Sequence, residues 1–207
     1  MDDQVIASLK KWPNIPECYG WLSLDRRGEW RMLNEYAQVN HLPGDVIHHT
    51  GLKDFIVRNY AKDELGQFFF QNGPQRVYIS LAYTPWIVRL TPDSEKQWLI
   101  RTTFGHQVDP LRCFLDEHGQ ILIEAMYTAM QLNKNSPSGY DSIQVLSLGL
   151  LHDHDLEIFS NFSHVSSDAC SFHGEMHWQS KKIPIEPILT KDLSKQYHFI
   201  KNPQAVD

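Results

Sequence analysis

Cysteine is scarce in this 207-residue chain: only Cys18, Cys113 and Cys170, with no close pair. An odd, scattered set excludes a disulfide framework, and reduced thiols packed among apolar neighbours are expected. Long apolar runs are missing as well, and no stretch approaches the roughly 18 residues a membrane helix needs. The start, MDDQVIASLKKW, carries acids where a secretory signal carries bases. Together these absences lead to the expectation of a cytoplasmic protein without a membrane association. Positive charge is in deficit, with 19 Lys and Arg against 25 Asp and Glu. With no basic run to displace phosphate counterions, nucleic acid is not an expected partner. Gly-x-Ser-x-Gly, Gly-x-Gly-x-x-Gly and Walker loops are all absent. Nucleophile-elbow hydrolases, dinucleotide enzymes and P-loop NTPases therefore lack support, and no cofactor is implied.

What is present is globular and rich in aromatics: 42% hydrophobic, 12% aromatic and 21% charged residues. A chain of this length buries about 70% of its unfolded surface without help from metal or disulfides. Val5, Ile6, Leu9 and Trp12 have helical spacing, with Asp2 or Asp3 as cap. Leu52, Phe55, Ile56 and Tyr60 mark an amphipathic helix with Thr50 as its expected N-cap. Three phrases of the form Asp-x-x-Gly, at Asp25, Asp63 and Asp116, read as turns between strands. In FFFQNGPQRVYISL, Asn72-Gly73 signals a hairpin. Alternation then places Arg76, Tyr78 and Ser80 on one face, with Val77, Ile79 and Leu81 on the core face.

After WIVRL, the segment TPDSEKQ gathers turn residues and is taken as a boundary. Beyond it QWLIRTTF, RCFL, QILIEAMY, SIQVLSLGL, LEIFSNF and SFHGEMHWQ read as strands. A short helix near 191–198 is expected to be capped by Thr190, with Leu193 and Tyr197 facing inward. The expected fold is α+β: two small β-rich subdomains, 1–93 and 94–207, each of antiparallel hairpins with a packed helix. The two Leu-Asp-x-x-Gly phrases suggest an internal duplication.

The segments WPNIPECYGWLSLDRRGEW, FIVRNYAKDELGQFFFQNGPQRVYISL and TPWIVRL resemble an uncharacterised proteobacterial family, a domain of unknown function, mainly over residues 12–90. The order of elements also resembles, in layout, a second uncharacterised family of repeated α+β motifs with a suggested signalling or ligand-sensing role. Neither resemblance implies catalytic residues.

Two groups of residues can carry chemistry. Arg58, Gln75, Arg76, Tyr78, Trp86 and Arg89 form a candidate ligand-binding set. Arg76 offers a planar fork for an anion, and the aromatics offer contact area. The competing reading is a structural network in which Arg76 pairs with Asp54 or Asp63. The second group is GLLHDHDLE, where His152 and His154 on a strand face would stand about 7 Å apart, as in His-x-His metal sites. An exposed polar loop is the plainer reading. His173 and His177 are too far apart along a strand to chelate one ion, and His48-His49 belongs to the loop before a helix. The expectation is a non-enzymatic ligand-sensing or partner-binding module, its partner a small ligand or a protein. The alternative is a metal-dependent enzyme using His152 and His154.

Overall fold

The computed structural model describes residues 1–205 apart from 13, 134, 137, 138, 169 and 170. The chain begins with α1 (Asp3–Lys11), β1 (Cys18–Leu24), β2 (Trp30–Met32), α2 (Glu35–Val39) and β3 (Asp45–Val46). Next come α3 (Thr50–Arg58), β4 (Tyr60–Lys62), β5 (Phe68–Asn72), β6 (Gln75–Leu81) and β7 (Trp86–Pro92). Then follow β8 (Trp98–Thr102), β9 (Gln107–Val108), β10 (Arg112–Asp116), β11 (Ile121–Leu132) and β12 (Tyr140–Leu151). A 3-10 turn (Asp153–Asp155) leads into α4 (Leu156–Ser160), β13 (Ser163–Asp168), β14 (Ser171–Trp178), β15 (Lys181–Ile188) and α5 (Thr190–Gln196).

This corrects the expected α+β pair of helix-packed subdomains. Strand accounts for 45% of the chain and helix for 20%, so the fold is mostly β. Among the described residues all fifteen strands belong to one mixed sheet. Hairpin reasoning sees only neighbours in sequence, whereas parallel pairs join distant strands: β1 to β6, β10 to β15, β11 to β4 and β12 to β7.

Contacts divide the chain into two compact units that each use separate stretches. The first holds Met1–Tyr83, Thr128–Gln144 and the tail from His198; the second holds Thr84–Tyr127 and Val145–Tyr197. In the first, the strand order is β4-β5-β6-β1-β2-β3. Phe68, Phe69 and Phe70 are all buried, so β5 is covered on both faces. That explains an unbroken aromatic run where alternation would suffice for a one-sided sheet. Phe69, Ala61, Tyr78 and Tyr140 form a cluster on one side, and Phe70 meets Phe55 of α3 edge to face on the other. The tail crosses this unit as a strap: Ile200 N–H donates to Gly66 O (3.0 Å) and Leu81 N–H to Lys201 O (2.7 Å). A Cβ at Gly66 would collide with the His198 carbonyl, so the strap and the glycine require each other.

In the second unit the order is β13-β14-β15-β10-β11, and β12 pairs with β7, which continues to β8 and β9. Its core stacks Trp86 on Tyr127, ring centroids 4.7 Å apart. Gly149 passes beneath this stack, where a Cβ would strike the Tyr127 hydroxyl. Three carboxylates are also buried: Asp116 at the end of β10, and two that are held by arginine. Glu124 accepts from Arg112 through two bonds of 2.7 Å and from the Tyr197 hydroxyl at 2.6 Å. Asp155 accepts from Arg89 at 2.6 and 3.0 Å and from Leu90 N–H at 2.9 Å.

One turn type recurs across both units. The Asp25 carboxylate accepts from the N–H groups of Arg27 and Glu29, each at 2.9 Å, while Gly28 N–H returns to Asp25 O. Asp63 and Asp116 repeat the pattern, and so does Asp93, where Lys96 occupies the glycine position at φ 61°. TPDSEKQ is thus a hairpin turn between β7 and β8. A fifth copy uses Thr102 in place of aspartate. The Leu-Asp-x-x-Gly phrase therefore marks a turn chemistry common to several hairpins, so the phrase by itself does not decide the expected duplication.

Three local assignments shift. LEIFSNF is not a strand: Leu156 and Phe159 lie a helical turn apart in α4, which begins beyond the His152-capped 3-10 turn. His49, not Thr50, caps α3, its Nδ1 accepting Leu52 N–H at 3.0 Å. Thr190 opens α5 rather than capping it, and Glu117 accepts both its N–H and its hydroxyl.

Candidate functional site

The first unit contains an apolar cleft between α3 and the sheet, about 260 Å³ in volume. Its origin is an irregularity in β1. Along the parallel seam Cys18 aligns with Val77, yet Leu22 aligns with Ile79, so β1 spends two extra residues there. Gly20 takes a left-handed φ of 79° to make this bulge, which bends the strand. Leu52 and Ile56 of α3 line one side, and Trp21, Met32, Ile47 and Phe70 line much of the rest. Trp21 and Met32 are 42% and 50% exposed at the rim. Among the lining residues Asn72 and Cys18 are the polar exceptions, and burial raises the Cys18 thiol above its usual range.

The other face of the β5–β6 hairpin holds the entrance to that bulge. Gln75 Nε2 donates to Pro16 O at 2.9 Å, and Arg76 pairs with Glu17 at 3.3 Å. Tyr19 stacks on Tyr78 at 4.5 Å with planes 4° apart, and the Tyr19 hydroxyl donates to Glu17 at 2.7 Å. The Arg76 guanidinium also lies over the Phe69 ring at 5.0 Å. Burial, then hydrogen bonding to Glu17, pushes the Tyr19 phenol well above its ordinary range. Tyr78 is raised mainly by burial, and the Arg76 bond opposes this. Tyr78 is buried, so alternation did not leave its face to solvent.

The candidate ligand set is thus divided. Gln75, Arg76 and Tyr78 come together around Pro16 and Glu17. Arg58 is elsewhere in the same unit, exposed and paired with Asp2 at 3.1 Å. Trp86 and Arg89 belong to the second unit, Trp86 beneath Tyr127 and Arg89 on Asp155. Sequence reading missed the cleft residues, although Gly20 between aromatics inside a strand pattern was an available bulge signal.

In the second unit His152, Asp153 and His154 bring three donor groups within 4.8 Å. They lie on the 3-10 turn rather than on a strand. His152 is buried and His154 exposed, their rings 4.8 Å apart. Burial lowers the His152 pKa, and Arg89 lowers it further. His177 is exposed beside Glu175, while Cys170 and the His173 side chain lie outside the described residues. Cys113 is fully buried and its thiol is pushed up to about 12, so it packs rather than reacts. A wider, open hollow of about 560 Å³ lies between Asp116 and α5, but its Glu117 is engaged by Thr190.

Among the described residues no helix is long and apolar enough to cross a membrane. No curated protein matches the sequence. A DUF1285 family protein from Silicibacter pomeroyi DSS-3 is 11% identical, with 85% of each chain covered and a TM-score of 0.44. A DUF1285 family protein from Shewanella baltica OS155 is 13% identical, covering 68% of this chain and 91% of its own, with a TM-score of 0.40. Neither likeness is close enough to carry an argument. The model of the DUF2944 family, described as a protein of unknown function (DUF2946), matches residues 1–204, and the chain belongs to that family.

Proposed function

We propose that the protein is a non-enzymatic binding module that takes a small apolar molecule into the cleft under α3. The cleft is the observation that carries this reading. An apolar cavity of roughly 150 Å³ accommodates benzene, so about 260 Å³ suits a bicyclic ring. The lining is apolar with a few polar groups, the usual make-up of small-molecule sites. Gln75, Arg76 and Tyr78 act in this proposal by holding residues 16–19, which fixes the bulge that brings Trp21 to the rim.

Saturation-transfer NMR of the full chain with indole and with 1-octanol tests it. Binding of at least one probe is expected, weakened tenfold or more by Leu52→Trp, which fills the cleft from the helix side. Failure of the wild-type protein to bind either probe, or equal binding by a folded Leu52→Trp variant, overturns the reading.

A further inference from the structure

We infer that His152, Asp153 and His154 form a binding site for a divalent transition metal of the Zn²⁺, Ni²⁺ or Cu²⁺ class. The site is in the second unit and is independent of the apolar cleft.

Three donor atoms from consecutive residues converge here, all within 4.8 Å of one another. His152 Nδ1 accepts the His154 N–H at 3.2 Å, so its lone pair points into the turn. An Asp153 carboxylate oxygen lies 3.0 Å from the same nitrogen. A metal ion bound through Nδ1 would take the place of that long amide bond. Donors bound at about 2.0–2.1 Å around a tetrahedral ion stand about 3.3 Å apart. The His152–Asp153 pair is already near that spacing. His154 Nε2 lies 4.0 Å from the same Asp153 oxygen and is exposed, so a small side-chain rotation brings it in.

Two imidazoles with one carboxylate select borderline ions over Mg²⁺ or Ca²⁺. The neighbouring Arg89 charge opposes any cation, but Asp155 neutralises it through two hydrogen bonds. Three ligands from consecutive residues leave coordination positions open, to be filled by water or by a small anion.

Isothermal titration of the chelator-stripped full chain with Zn²⁺, and separately with Ni²⁺, decides the matter. One equivalent is expected to bind at neutral pH and to raise the melting temperature. Affinity should fall at least tenfold in His154→Ala and in Asp153→Asn. Both side chains are exposed, so metal-free melting temperatures should match the wild type. The absence of saturable binding overturns the inference. So does binding of unchanged affinity in both variants, which would place the metal on other histidines such as His177.

Discussion

The stretches β1–β6 and β10–β15 share a strand order, yet they spend their polar residues differently. In each, three strands are followed by a helix and three more strands, and the last strand pairs parallel with the first. In the first, the interior is aromatic: Phe69 packs on Tyr78, and the helix leaves an apolar cleft beneath it. Arg76 is tethered there to Glu17, a carboxylate that is 40% exposed. In the second, Arg112 holds a carboxylate, Glu124, that is only 4% exposed. Wiring therefore fixes neither a pocket nor a charge network.

The largest expected effect follows from that contrast. Arg112→Ala strands the Glu124 charge, leaving it the Tyr197 hydroxyl bond, and should cost about 3 kcal/mol. Arg76→Ala loses a half-exposed ion pair and a ring contact, and about 1–2 kcal/mol is expected. Urea midpoints of the two variants measure the difference. Equal losses would show that burial of the carboxylate does not distinguish the regions.

A pH series sharpens the same point. Burial would raise the Glu124 carboxyl, but hydrogen bonds from Arg112 and Tyr197 outweigh it and the folded pKa is lowered. Its stabilisation is therefore present above the unfolded pKa of about 4.3 and is lost as pH falls through the folded value. Wild-type stability should drop more steeply below pH 4.3 than that of Glu124→Gln. Parallel acid limbs for the two proteins would remove Glu124 from the account.

The smallest effect concerns the β7–β8 turn. Lys96 holds a left-handed φ where the sister turns at Asp25, Asp63 and Asp116 have glycine. Lys96→Gly should gain about 0.5–1 kcal/mol, read as a raised urea midpoint. A loss would mean that the lysine side chain contributes more than its backbone costs.

The sequence made these turns legible wherever both aspartate and glycine were present, and concealed the fourth because lysine replaced the glycine. It also located the β5–β6 hairpin and α3. The cap of α3 slipped by one residue because a histidine nitrogen accepts an amide bond as a serine or threonine oxygen does. Helix α4, five residues long, shows too little periodicity to be told from a strand. The parallel seams were invisible, since their register depends on residues far apart. For the same reason the cleft could not be read: Cys18 and Trp21 meet Leu52 and Val77 only after β1 has bulged against β6. The histidine pair was visible, and the loop reading placed it off the strand, but the 3-10 turn that sets Asp153 between the rings was not legible.

The parallel seams also bear on how the chain reaches this structure. Cys18 must find Val77, and Cys113 must find Ile185, before either set of strands is complete. The aspartate turns can close locally and early, whereas these encounters require large loops and come at high entropic cost. Contact order is therefore high, and folding is expected on the millisecond-to-second scale of β-rich topologies rather than the microseconds of helical bundles. Stopped-flow refolding measures this directly. Substitutions along the β1–β6 seam, such as Ile79→Val, should then speed unfolding and leave the folding rate nearly unchanged.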